Sequence, residues 1–143
     1  GPESERQFAA AAASLGRRGD PPSERRQREL VAKVKAIVEE RLAEPALSTA
    51  TIAAEVGLSA SYLRDLFKRL EGLALYDYVG TARLERAKAL LLGSEDSVRE
   101  ICDRSGVINY SYFFTFFKKS TGKTPTEFRE DASKQGRAAS DLR

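Results

Sequence analysis

The sequence predicts an all-α fold of seven helices, in which two helix-turn-helix subdomains are joined by one long linker helix. Three observations carry this. Apolar residues recur at the i, i+3, i+4 spacing of helix faces from Leu30 onward. Serine, threonine, proline and glycine residues punctuate those stripes as starts and stops. One unit also occurs twice. Ile101, Cys102 and Gly106 stand 49 residues after Ile52, Ala53 and Gly57. Tyr112, Phe113, Phe117, Lys118, Lys119 and Gly122 stand 50 residues after Tyr62, Leu63, Phe67, Lys68, Arg69 and Gly72. Agreement in residue type and spacing through a whole unit identifies an internal repeat. The step from 49 to 50 places one inserted residue in the second turn, where length variation is tolerated.

Residues 1–28 are expected to lie outside the fold. Gly1-Pro2, with no methionine, resembles the scar left by a tag-removing protease. The following stretch is rich in Ala, Arg, Ser and Glu and is broken by Gly16, Gly19, Pro21 and Pro22. It reads as a flexible linker or, over Ser4–Leu15, as the tail of a preceding helix. The first subdomain, residues 29–73, opens with a helix marked by Leu30, Val31, Val34, Ile37, Val38 and Leu42 and ended by Pro45. Ser48 caps a short helix with Ile52, Ala53 and Val56 as its apolar positions and Gly57 as its stop. Ser59 then caps SASYLRDLFKRLEG, whose Tyr62, Leu63, Leu66 and Phe67 form one buried face. Two short helices about a tight glycine turn make a helix-turn-helix pattern.

The linker helix, residues 74–93, carries a wide apolar stripe through Leu75, Tyr78, Val79, Ala82, Leu84, Ala87, Leu90 and Leu91. Gly80 inside it costs about 1 kcal/mol relative to alanine. In the second subdomain, residues 94–132, Ser97 caps the first helix and the repeat supplies the second. Thr124-Pro125 starts a last short helix, with threonine as cap and proline in the first turn. Residues 133–143 are expected to form a disordered tail.

Composition bounds the chemistry. A chain of 143 residues with 41% apolar content suffices for one domain or two small ones sharing a helix. No apolar run approaches membrane-spanning length. The single cysteine, Cys102, forms no internal disulfide, which fits a reducing cytosol. The absence of histidine excludes histidine acid–base catalysis, Cys–His nucleophiles and Cys/His zinc sites. Carboxylates such as Glu39 and Glu40 have no catalytic partner, so neither an enzyme nor a cofactor or metal site is expected. The net charge of +3 is unevenly placed. Leu30 to Asp131 holds fifteen Lys/Arg and fifteen Asp/Glu, which leaves nine basic and six acidic residues in the two ends. Attraction to an anionic partner must therefore come from local placement of charge.

A linker helix of this length spans roughly 28 Å at 1.5 Å per residue. Successive major-groove faces of B-DNA repeat at about 34 Å. The spacing suits two recognition helices on one face of a duplex. Leu30–Glu130 also resembles the AraC/XylS-type transcriptional regulators of bacteria, in particular response regulators and membrane-anchored sensors that carry such a module at their C-terminus. The likeness rests on IAAEVGLSASYLRDLFKRLEG in the first unit and TARLERAKALL in the linker helix. In the second unit it rests on SYF, Phe117-Lys118-Lys119 and TGKTPTEFRE, the last being the most specific.

The resemblance implies sequence-specific binding of double-stranded promoter DNA by two recognition helices in adjacent major-groove segments, in control of transcription. It implies a cytoplasmic setting, membrane-anchored in some full-length forms. RNA polymerase is an expected partner, as is a sensor, receiver or dimerisation domain preceding Glu3. Carried over by position, Ser61, Arg64 and Asp65 read bases in the first unit. Tyr110, Ser111 and Thr115 do so in the second, with Phe114 beside them. On the exposed face of its helix, Arg64 can bind guanine O6 and N7 in bidentate fashion, and Asp65 can accept from cytosine N4. Lys68, Arg69, Lys118, Lys119 and Lys123 lie toward the ends of the units and suit phosphates. The N–H groups near Thr49 and Val98 open their helices and can hold phosphate oxygens.

Each role has a plainer alternative. Arg64 and Asp65 are otherwise solvated surface charges, with Asp65 pairing to Arg69 at i+4. Tyr62, Phe113 and Phe117 are core residues rather than stacking platforms, and Cys102 matches Ala53 as a small buried position. Three departures from the family pattern stand out. Val107 replaces an aromatic and Ser105 an apolar residue, which predicts a looser second unit. Phe114 replaces a small or polar residue and touches a thymine methyl, packs against a partner domain or destabilises the free protein. The neutral body and the altered second turn motivate a second functional reading: a helical protein-interaction module that keeps the scaffold but has lost DNA binding.

Overall fold

A computed structural model describes residues 22–141, with side chains from Ser23 to Gly136. The stretch Ser4–Leu15 and the last two residues of the tail lie outside the described residues. Within them the chain forms seven α-helices and no strand: α1 Pro22–Glu40, α2 Thr49–Val56, α3 Ala60–Glu71, α4 Leu75–Gly93, α5 Val98–Arg104, α6 Tyr110–Thr121 and α7 Pro125–Asp141.

Both outer boundaries depart from the expected ones. The first helix begins at Pro22, within the stretch expected to be linker, rather than near residue 29. Proline interrupts a helix interior but suits its first position, where the fixed φ is already helical and the missing N–H has no intrahelical use. Glu24 in the first turn complements the helix dipole. The added turn is also tied down, because Gln27 Nε2 donates to Tyr62 Oη at 3.4 Å and Gln27 Oε1 accepts from Arg69 Nη2 at 3.2 Å. At the other end α7 continues to Asp141 instead of giving way to a disordered tail after Ala132. No proline interrupts SKQGRAASD, and its Lys, Gln, Arg and Ala are good helix formers that offset the cost of Gly136, about 1 kcal/mol.

The chain divides into two units. The first holds α1, through Glu40, and Ser48–Tyr76. In it α1 packs against both α2 and α3. Val31, Val34, Ile37 and Val38 of α1 are buried, as are Ile52 and Ala53 of α2, Leu63, Leu66 and Phe67 of α3, and Leu75. Each large apolar side chain buried in this way contributes about 1.5–3 kcal/mol. Lys35 Nζ meets Glu71 Oε2 at 2.7 Å across α1 and α3.

The second unit comprises Arg41–Leu47 and the chain from Asp77 onward. Its core is Leu84, Ala87 and Leu91 of α4, Ile101 and Cys102 of α5, and Phe113 and Phe117 of α6. Phe128 of α7 meets Phe117 edge-on at 5.5 Å. Leu42, expected on the stripe of the first helix, instead lies in the turn that follows α1 and is buried. Arg41–Leu47 acts as a strap. Arg83 donates through Nε to Leu42 O at 3.2 Å and through Nη2 to Glu44 O at 2.9 Å. Gly106 lies under the same carbonyl: at its φ of 90°, an added Cβ would fall 2.2 Å from Leu42 O.

The motif arginines have a shared structural task. Arg86 Nε donates to Arg104 O at 2.7 Å and so satisfies the C-terminal end of α5. Arg129 donates to Leu91 O at 3.0 Å and to Ser94 O at 3.2 Å, closing the end of α4. Cations at helix C-termini satisfy orphan carbonyls and favour the dipole. The TP-x-E signature is likewise a cap. Thr124 Oγ1 accepts from Glu127 N at 3.1 Å, while Glu127 Oε1 accepts from Thr124 N at 3.2 Å.

The second turn is better bonded than its composition suggests. Ser105 is wholly buried, yet its Oγ donates to Cys102 O at 2.8 Å, so burial leaves that hydroxyl satisfied. Val107 packs against the same core and its carbonyl accepts from Cys102 Sγ at 3.5 Å. The expected looseness is not found at this turn.

Candidate nucleic-acid interface

The start of α3 is fixed by Ser59, whose extended backbone leaves the helix and whose Oγ accepts from Tyr62 N at 3.1 Å. Its end is fixed by Gly72, in the left-handed region with φ 82° and its N–H on Lys68 O. With Leu63, Leu66 and Phe67 inward, helical periodicity puts Ser61, Arg64, Asp65 and Lys68 outward, and all four are exposed. Arg69 does not take up Asp65 as an i+4 partner; its guanidinium goes to Gln27 on α1. That leaves Asp65 as an acceptor on the outer face and makes Arg69 partly a structural residue.

The start of α2 is closed by hydroxyls alone. Ser48 Oγ accepts from Thr51 N at 3.1 Å, and Thr51 Oγ1 accepts from Ser48 N at 2.9 Å. The first intrahelical bond runs from Ile52 N to Ser48 O, so the N–H of Thr49 precedes it and is suited to an anion. The start of α5 differs, because Glu100 Oε2 accepts from Ser97 N at 3.1 Å. A carboxylate therefore already stands beside Val98, which makes this terminus the less anion-friendly of the two.

Asn109 caps α6 by accepting from Tyr112 N at 2.9 Å. Phe113 and Phe117 point inward, and Ser111, Thr115, Lys118 and Lys119 are exposed. Thr115 Oγ1 donates to Ser111 O at 3.2 Å, which engages its hydroxyl proton and leaves the oxygen to accept. Tyr110 and Phe114 are half-buried and meet edge-to-face at 5.2 Å, so Phe114 is only partly turned outward. The guanidinium of Arg99, from α5, lies over the Tyr110 ring at 4.7 Å. Lys123 Nζ is paired with Asp131 at 2.6 Å, an engagement that Lys118 and Lys119 do not share. That bond holds the Asp131 carboxyl below its ordinary range.

One repeat position diverges in environment. Tyr62 is half-buried and bonded to Gln27, whereas its counterpart Tyr112 is 48% exposed and stacks on Phe116 at 5.7 Å. Cys102 fits the small buried role. Burial, and secondarily Asp103, push its thiol pKa up, with Arg99 acting in the opposite sense. It therefore packs as a neutral apolar group. Two things escaped the sequence. The arginine clasps bond to carbonyls far away in the chain and leave no local pattern, and the Arg99–Tyr110 contact shows only as a departure from the repeat.

No helix among the described residues is long and apolar enough to cross a membrane. Residues 52–131 match a family described as a helix-turn-helix domain. The uncharacterized HTH-type transcriptional regulator YijO of Escherichia coli (strain K12) is 31% identical over 110 residues, covering 77% of this chain and 38% of that protein. The C-terminal domain of the two-component response regulator yesN from Fusobacterium nucleatum subsp. nucleatum ATCC 25586 is 33% identical with a TM-score of 0.67, covering 68% of this chain and 95% of that one. The DNA-binding domain of AdpA, a global transcriptional factor solved in complex with a target DNA, is 29% identical with a TM-score of 0.67, covering 75% and 94%. This chain spans 19–38% of the length of the first three curated relatives it matches. With more than half of its residues inside the family match, the chain belongs to the AraC-type helix-turn-helix family of DNA-binding transcriptional regulators.

Proposed function

We propose that the chain is the output domain of a bacterial transcription regulator and recognises specific duplex sequences with α3 and α6, each in one of two adjacent major-groove segments. The observation that carries this reading is the correspondence of the two outer stripes. Ser61, Arg64, Asp65 and Lys68 on α3 occupy the same turns as Ser111, Phe114, Thr115 and Lys118 on α6. Each stripe follows a capped start and precedes a left-handed glycine stop. In this reading Arg64 and Asp65 discriminate base pairs by hydrogen bonds, while Ser111, Thr115, Tyr110 and Phe114 form a less charged reading edge. Lys68, Lys118 and Lys119 hold phosphates, with Arg69, Lys123 and the first N–H groups at Thr49 and Val98 as further backbone contacts. A signal-receiving domain preceding Glu3 and contact with RNA polymerase complete the proposed role.

Selection of duplexes from a random-sequence pool, followed by affinity measurement across a salt series, tests it. The expected outcome is an enriched sequence with two half-sites about 10–10.5 base pairs apart and a linear fall of log affinity with log salt. Absence of binding to any duplex at low salt would reject the proposal in favour of the protein-interaction module.

A further inference from the structure

We infer that Arg99, on α5, is a phosphate contact of the second unit, aimed by the ring of Tyr110; this rests on α6 being the second reading helix. The two copies of the repeat differ in a reciprocal way. The first has Ala50 on its leading helix, Ala60 at the start of its reading helix and Arg64 on the outer face. At the equivalent places the second has Arg99, Tyr110 and Phe114. Between Tyr110 and Phe117, α6 carries no cation at all. The charge that α3 carries on its own outer face has its counterpart here on the neighbouring helix.

The geometry supplies what such a relocated cation needs. The guanidinium carbon of Arg99 stands 4.7 Å from the Tyr110 centroid, within stacking range. That ring is itself held: Phe114 meets it edge-on at 5.2 Å, and it packs against the core of the second unit. Arg99 is exposed and, among the described residues, makes no ion pair that would occupy its donors. A guanidinium held over a ring by cation–π attraction keeps N–H groups for an oxyanion, and a fixed platform reduces the rotamer freedom lost when the phosphate binds. The first residue of α6 thus serves as the support for an arginine that arrives from α5.

The test uses the full chain and a labelled duplex of about 30 base pairs carrying a sequence that the protein itself enriches, long enough for two groove segments. Affinity is measured against salt for Arg99→Ala, Tyr110→Leu, Tyr110→Phe and Lys118→Ala. Arg99→Ala is expected to weaken binding about fivefold to tenfold at about 0.1 M salt, to make the log–log slope shallower by about 0.9, and to leave base preference unchanged. Tyr110→Leu should reproduce part of that loss with the same change in slope, and Tyr110→Phe, which keeps the ring, should keep the parent's salt slope whatever its effect on base preference. Parent-like affinity and slope for Arg99→Ala, beside a weakened Lys118→Ala, would overturn the inference while leaving the second reading helix in place. Altered preference at one base pair with an unchanged slope would overturn it too, by making Arg99 a base reader. If neither Arg99→Ala nor Lys118→Ala moves affinity, the second reading helix itself is wrong.

Discussion

Gly57 and Gly106 occupy equivalent positions in the two units, and both adopt positive φ, but their surroundings differ. An added Cβ at Gly57 would meet nothing within 4 Å, whereas at Gly106 it would collide with Leu42 O and crowd Arg83 Nε at 2.9 Å. Gly57→Ala should therefore cost only the backbone term, about 1–2 kcal/mol. Gly106→Ala should cost about 2–4 kcal/mol, because strain and a backbone clash combine. Chemical denaturation of the two variants followed by circular dichroism checks the ordering. At the outer face of α3, Arg64→Ala is expected to relax preference at one base pair and to cost about 1–3 kcal/mol for the favoured sequence. An equal loss for every duplex in a competition assay would mean that Arg64 does not read a base.

Among the elements, α2, α3, α5 and α6 were legible because their caps and apolar spacing are local. Ser48, Ser59 and Ser97 cap α2, α3 and α5 where the serine pattern places them, and Gly57, Gly72 and Gly122 stop α2, α3 and α6. The same locality made the outer residues Ser61, Arg64, Asp65, Ser111 and Thr115 readable, since one inward face fixes the other. What was not legible depends on distant partners. The start of α1 leans on Gln27 meeting Tyr62 and Arg69, and the motif arginines Arg83, Arg86 and Arg129 turn out to be clasps for remote carbonyls. The cap on α7 has a measurable signature. The backbone N–H of Thr124 first, and its hydroxyl second, lower the Glu127 pKa from its ordinary 4.5. A carboxyl with a depressed folded pKa stabilises when ionised, so its contribution is present above pH 4.5 and lost as pH falls below that value. Thermal unfolding followed from neutral to acid pH should show a declining midpoint in this range. Glu127→Gln should start lower at neutral pH and decline less.

For the molecule as a whole, a body with equal numbers of acidic and basic residues has no long-range pull on a polyanion, so steering falls to a few placed cations. Lys68 and Lys119 lie in the last turns of α3 and α6, the two helices proposed to read DNA, and both are exposed. Replacing the pair with alanine should make the log–log salt slope shallower by about 0.9 per lysine. It should weaken all duplexes alike, which competition against unrelated DNA measures. A parent-like slope would assign the salt-sensitive contacts elsewhere.

The strap Arg41–Leu47 gives the duplication a limit. Read as text, the second copy is a cassette that begins after the linker helix and can be cut out there. In the folded chain the second unit also includes Arg41–Leu47, with Leu42 and Leu47 buried, and Gly106 and Arg83 are shaped around carbonyls encoded upstream of the first copy. Gene dissection or domain shuffling that moves the second copy by its repeat boundaries would leave behind seven residues of its unit, among them the carbonyl partners of Arg83. The copies repeat as sequence, yet the second folds together with residues that lie outside the repeat.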